Sequence, residues 1–211
     1  MGVNKSGDDW KRGRNGREMK YEVKRREVIF RHPFLRIEKV GLEIDRFRGE
    51  GQLAIDRYSL VRPDVVGVVV YVRERASLVL VEQFRYATVS TGSGWMVEIV
   101  AGVIEDGATP EETARREVLE EVGYRVENLR KVAEFYTAPG FSDQYTYLYV
   151  AEVNVFDKVE RGGGLAVEGE DIRVHELEVA EVRAWLRAGK IRDAMTLAAL
   201  QHFLLVEHGE H

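Results

Sequence analysis

The order of apolar patterns predicts an α/β fold, an α/β/α sandwich around a mixed sheet with a small N-terminal β-domain in front of it. Three observations carry this. Val65 to Val72 and Ser77 to Phe84 are near-continuous apolar runs, the pattern of strands covered on both faces. Pro110 to Val122 repeats apolar residues at helical spacing behind a capping sequence, and two more helical stretches close the chain. From Tyr21 to Val61 the pattern is strand-like throughout, without a helix.

Taken in order, residues 1–20 set Lys5, Lys11, Arg12, Arg14, Arg17 and Lys20 among Gly, Asn and Asp without periodicity, and read as a flexible arm. Residues 21–60 form a β-region with strands Tyr21–Phe30, Leu35–Ile44 and Arg57–Val61, and turns at His32-Pro33 and Arg48-Gly49-Glu50-Gly51. So little bulk cannot enclose a core, and this region is expected to pack across a homodimer.

The main domain, 61–208, opens with Val65–Val72 and Ser77–Phe84, joined across Arg73–Ala76. A Thr/Ser/Gly-rich loop, Ala87–Gly94, precedes a strand at Trp95–Val100. Beyond the first helix, Val126–Phe135 and Tyr145–Val153 read as strands around the loop Thr137–Gln144. Lys158–Asp171, with Gly162-Gly163-Gly164 and Glu168-Gly169-Glu170-Asp171, reads as a mobile acidic loop. A short strand at Ile172–Leu177 and helices at Val179–Ala188, ended by Gly189, and Asp193–Val206 complete the domain.

Composition narrows the function. The chain has 211 residues, 45% of them hydrophobic, and no apolar run long enough to span a bilayer, so no membrane partner is expected. It has no cysteine, which excludes disulfides, thiolate metal sites and a cysteine nucleophile, and suits a cytoplasmic location. Met1 to Lys20 carries no apolar stretch of the kind a secretory leader needs. A net charge of −5 argues against general nucleic-acid binding, and the basic arm lacks interleaved aromatics. The five histidines show no metal-ligand spacing, and neither G-x-S-x-G nor a glycine loop ending in G-K-[ST] occurs.

The informative stretch is Gly102 to Tyr124. Thr109, Pro110 and Glu112 form a T-P-x-E start, in which threonine caps an orphan amide, proline fits the first helical position and Glu112 completes a capping box. Gly123 suits the left-handed residue that ends many helices. Ala114, Val118 and Val122 share one stripe; Glu117, Glu120 and Glu121 share the neighbouring face. Like charges at this spacing oppose the helix by roughly 0.2–0.5 kcal/mol per pair. Such a face is either the wet side of an amphipathic helix or a seat for a hard cation such as Mg²⁺, which takes one or two carboxylates plus substrate phosphates.

The stretch resembles the Nudix box of the Nudix hydrolases. Gly102 and the run Arg116-Glu117-Val118-Leu119-Glu120-Glu121-Val122-Gly123-Tyr124 match the pattern's glycine and its R-E-U-x-E-E-x-G-U segment, with U apolar. The first glutamate of the pattern is Ala108 here. Val81 to Tyr86, Trp95 to Gly102 and Ala138 to Asp143 look like segments of ADP-ribose pyrophosphatases, as does Pro139, sixteen residues after Gly123. Gly189-Lys190-Ile191-Arg192-Asp193 and the two loop motifs look more like GDP-mannose and UDP-sugar hydrolysing relatives.

The resemblance implies the Nudix fold and a dimer. It also implies a metal-dependent pyrophosphatase that splits a nucleoside diphosphate sugar, ADP-ribose first and a UDP-sugar or GDP-mannose as the alternative, into a nucleoside monophosphate and a sugar phosphate. A nucleotide-sugar-binding protein without activity is the reading of another class. Mg²⁺ or Mn²⁺ would be held by Glu117, Glu120, Glu121 and the Ala101 carbonyl, with Glu120 a ligand or the group orienting water. In the family the box arginine pairs with the box glutamate, so Arg116 must find another carboxylate. Arg85 is the expected phosphate ligand. Glu98 and Pro139 belong to the substrate site, and Trp95 or Tyr86 could stack on a base. Where ADP-ribose relatives carry a glutamate this chain has Gln144, whose amide cannot take a proton from water. UDP-sugar relatives resemble it there. The catalytic base is then sought among Glu120, Asp143, Glu168 and Glu170, the loop acting as a lid.

Overall fold

The computed structural model describes residues 18–207, with the side chains of Glu168 and Glu207 outside that description, so the basic arm falls almost wholly outside the described residues. The chain divides into two compact units: the chain up to Arg62 together with Ala138–Asp143, and Pro63–Thr137 together with Gln144 onward.

The first unit is an antiparallel sheet in the order β1 (Tyr21–His32), β2 (Leu35–Asp45), β3 (Gln52–Val61). β3 starts five residues before the expected Arg57, because its partner β2 is long: Gln52 pairs with Asp45, and pairing continues unbroken to Val61 against Arg36. Gly49 and Gly51, both at positive φ, make the turn between them. Ala138–Asp143 adds to this unit, with Leu60 N–H donating to Phe141 O at 2.7 Å and Arg62 N–H to Asp143 Oδ1 at 3.1 Å.

The second unit is built on a mixed sheet in which β4 (Val65–Val72) is central. It runs parallel to β9 (Tyr145–Val153), which pairs in turn with β8 (Asn128–Tyr136). On its other side β4 contacts β5 (Ser77–Phe84) only from Val70 to Val72, and β10 (Arg173–Glu178) pairs outside β5. β4 and β5 splay apart beyond that point. The gap is filled by two short strands, β6 (Trp95–Glu98) on β5 and β7 (Val100–Val103) on β4. The expected single strand Trp95–Val100 is thus broken at Ile99, whose amide donates to the buried Thr196 hydroxyl at 3.0 Å instead of to a strand.

Alternation along β4 sorts the core. Val66, Val68, Val70 and Val72 face α1 (Pro110–Val122) through Ala114, Val118 and Val122. Val69, with Leu80 and Leu148, faces Val182 of α2 (Val179–Arg187) and Leu200 of α3 (Ala194–His202). Both faces of the strand are closed, which is why its sequence is apolar throughout; each buried valine contributes about 1.5–3 kcal/mol. Helices therefore cover both faces of the sheet. No helix among the described residues is long and apolar enough to cross a membrane.

Candidate active site

The site is assembled where β7 passes beneath α1. The helix begins as its sequence dictates: Thr109 Oγ1 accepts from Glu112 N–H at 3.2 Å, while the Glu112 carboxylate accepts from Thr109 N–H at 2.9 Å and its hydroxyl at 2.8 Å. Gly123 ends it at φ 79°. With the axis fixed at both ends and the Val118 stripe buried, the neighbouring face is turned onto β7.

Two carboxylates meet the strand there. Glu121, 1% exposed, accepts the Ala101 N–H at 3.3 Å. Glu117, 7% exposed, lies over Gly102 so closely that a β-carbon on that glycine would stand 1.9 Å from Glu117 Oε1. Gly102 is therefore a seat for a carboxylate, and any side chain there would evict it. Arg116 spans Glu117 and Glu120, with Nη2 donating to Glu117 Oε1 and Nη1 to Glu120 Oε2, each at 2.8 Å. This supplies the partner that Ala108 cannot, and the charge of Glu105, in the same loop, adds to it.

Burial pushes the Glu121 carboxyl well above the usual carboxylate range, the charge of Glu117 pushes it further, and the Ala101 N–H pulls it back only in part. A buried pair of like charges calls for a positive counter-charge. The donor set of two hard carboxylates and the half-buried strand backbone of Ala101-Gly102 suits a divalent cation, so the residues present fit the group that the resemblance implies. Among the described residues, no group of three or more histidine, aspartate or glutamate side chains is placed to hold a metal ion.

Arg85 lies near enough to Glu121 to act on it through its charge. Its backbone is pinned by the Gly94 carbonyl at 2.6 Å, and its guanidinium grips Glu98 with Nε at 3.1 Å from both carboxylate oxygens and Nη2 at 2.7 Å from Oε2. Gln83 Nε2 adds a bond to Glu98 Oε2 at 3.2 Å. Burial works against the Arg85 charge, and the hydrogen bond and charge of Glu98 outweigh it, with Glu121 and Asp193 contributing. Glu98 thus holds the Arg85 guanidinium, and Gln83 is a member of the cluster that its position in a strand did not disclose. Trp95 packs edge-on against Phe84, with ring centroids 5.5 Å apart, and Tyr86 is exposed.

The acidic loop also reaches the site. Glu170 lies near enough to act on Glu121 through its charge, and its Oε2 accepts from Leu165 N–H at 3.0 Å. The Glu168 side chain is outside the described residues. Gln144 is at the start of β9 with its amide donating to Pro63 O at 3.0 Å. Pro139 and Asp143 belong to the first unit.

Comparison with known proteins identifies the domain that holds this site. A family described as NUDIX domain matches residues 61–204. The GDP-mannose pyrophosphatase of Cronobacter sakazakii is 41% identical over 168 residues, covering 78% of this chain and 86% of that protein. The GDP-mannose pyrophosphatase of Citrobacter koseri is 38% identical over 137 residues, 64% of this chain and 70% of that protein. The ADP-ribose pyrophosphatase of Escherichia coli K12 is 35% identical over 188 residues, 85% of this chain and 86% of that protein. A carboxylate helix seated on a glycine strand, inside a domain matched almost end to end, places the chain in the Nudix hydrolase family, whose members generally need divalent metal ions.

Proposed function

We propose that this diphosphatase hydrolyses the pyrophosphate of a nucleoside diphosphate sugar, with ADP-ribose and GDP-mannose the two substrates to set side by side. The observation that carries the proposal is the buried Glu117–Glu121 pair on the Ala101-Gly102 backbone. Mg²⁺ or Mn²⁺, when bound there, supplies charge neutralisation for phosphate oxygens and lowers the pKa of water. Glu117, Glu121 and the Ala101 carbonyl would hold it, with Glu120 a further ligand or the group orienting the attacking water.

The remaining work falls to the chain's own groups. Arg116 fixes Glu117 and Glu120 in place. Arg85, its fork oriented by Glu98, presents charge to a phosphate oxygen. Water attacks one phosphorus, the bond from that phosphorus to the bridging oxygen breaks, and the proton from water passes to a carboxylate, for which Glu170 and Glu168 on the acidic loop are the candidates. Gln144 orients the substrate. The products are a nucleoside monophosphate and a sugar phosphate. The relatives named for GDP-mannose, together with the Gly162-Gly163-Gly164 and Gly189–Asp193 segments, support GDP-mannose; those named for ADP-ribose, together with Pro139, support ADP-ribose.

The test is turnover of ADP-ribose, GDP-mannose, UDP-glucose and a dinucleoside polyphosphate with Mg²⁺ and with Mn²⁺. A nucleotide sugar should be hydrolysed fastest. Glu121→Gln should lose at least the roughly 10–100-fold that removal of even an outer-shell partner costs a metal site. Faster hydrolysis of the dinucleoside polyphosphate would overturn the substrate class.

A further inference from the structure

The carboxylate helix ends on backbone that only glycine can supply. The last carbonyls of an α-helix have no donor within the helix. In α1 the Leu119 carbonyl is met by Gly123 N–H at 2.9 Å, the usual left-handed cap. The next two, those of Glu120 and Glu121, are met by the acidic loop: Gly164 N–H donates to Glu120 O at 3.1 Å and Gly163 N–H to Glu121 O at 2.8 Å. The residues whose carboxylates line the site are thus held through their carbonyls by the loop that carries Glu170.

The approach leaves no room for a side chain. A β-carbon at Gly162 would lie 2.6 Å from Glu121 O and 2.7 Å from both Cα and C of Val122, all main-chain atoms that cannot turn aside. A β-carbon at Gly164 would stand 2.7 Å from Glu170 Oε2 and 2.8 Å from its Cβ. Gly162, Gly163 and Gly164 sit at φ 71°, 118° and 78°, a run of left-handed backbone that L side chains rarely adopt. The far end is tied too, since Ile172 N–H donates to Gly163 O at 3.1 Å.

We propose that Gly162-Gly163-Gly164 is a positioning strap for the reaction, holding the last turn of α1, and with it Glu120 and Glu121, in register with the loop that carries Glu170. This rests on the reading of the site given under Proposed function. The strap touches no substrate; it acts through the helix end. A shift of about 1 Å in such a register can cost a reaction roughly 100-fold.

Hydrogen exchange and steady-state kinetics on the full chain test it. In the wild type the Gly163 and Gly164 amides should be protected. Gly162→Ala should lose that protection and lower kcat about 10–100-fold, with KM changed less than threefold because substrate contacts lie elsewhere. Gly51→Ala is the control, since Gly51, in the β2–β3 turn, is also left-handed (φ 79°) but has open space around it, and it should keep both protection and kcat. Should Gly162→Ala fail to fold, Gly164→Ala, whose clash is with the Glu170 side chain, takes its place with the same readouts. Unprotected Gly163 and Gly164 amides in the folded wild type overturn the strap. So does a variant that loses their protection yet keeps kcat within threefold. A wild type that turns over no nucleotide sugar overturns the proposed reaction and the strap's kinetic role with it, while the exchange data decide the contact on their own.

Discussion

At the scale of the residue, the departure at Ala108 decides what Arg116 does. The pattern lacks its first glutamate, and the sequence alone leaves Arg116 in need of a partner. In the folded protein it is already bonded to Glu117 and Glu120. Ala108 is exposed, in a turn closed by its own N–H to Glu105 O at 3.1 Å. Ala108→Glu should therefore shift the melting temperature by no more than about 2 °C either way, as for an ordinary surface change. A gain well above that, read by calorimetry, would show that Arg116 prefers the restored partner. Glu117 and Glu121 make a second residue-scale prediction. A cation bound by this pair in the folded state alone stabilises it, by about 1.4 kcal/mol at tenfold excess over Kd, or about 3–6 °C. Adding Mg²⁺ to chelator-treated protein should raise the melting temperature by that amount, and Glu121→Gln should abolish most of the rise. An equal rise in the variant would move the metal away from this pair.

At the scale of the element, α1 was legible because its signals are local. Thr109, Pro110, Glu112 and Gly123 each act within a few residues of themselves, and the helix runs from the expected proline to the expected glycine. Thr109→Ala removes the cap on the helix that carries the carboxylates and should lower the melting temperature by about 2–4 °C at neutral pH. The loss has a pH dependence whose sign is fixed. Bonds from the Thr109 N–H and hydroxyl hold the Glu112 carboxyl below its ordinary value of 4.5. Its contribution is complete above that value and is lost as pH falls through the lower, folded one. The difference between wild type and Thr109→Ala should accordingly shrink in acid; a gap that stays constant from pH 7 to pH 3 would remove Glu112 from the cap. What the sequence hid was long-range. The break at Ile99 depends on the Thr196 hydroxyl. The early start of β3 depends on β2, and the strap depends on the end of α1, so the glycines that read as a mobile loop are bonded to a helix distant in sequence.

At the scale of the whole molecule, family membership settles the reaction class, and a non-catalytic binder is no longer a competing reading. The assembly is argued from the first unit. Its three strands carry no helix, and every residue of β1 is exposed. Val28, Ile29 and Phe30 in β1, Phe34 in the turn after it, and Leu53 and Tyr58 in β3 all expose large apolar surface. A three-stranded sheet needs a covered apolar face to be stable, and contiguous exposed apolar surface marks an interaction site. We propose that a second copy of the chain supplies the cover, as the pattern of residues 21–60 led us to expect. Light scattering should then give a dimer at micromolar concentration. Phe30→Glu should weaken it, since a carboxylate taken into an apolar contact without a partner loses its solvation. The second unit should keep its fold in that variant, because its core of β4, α1 and α3 is complete within itself. A wild type that scatters as a monomer, with residues 21–60 still protected from proteolysis, would mean that these strands are stable uncovered and would end the dimer proposal.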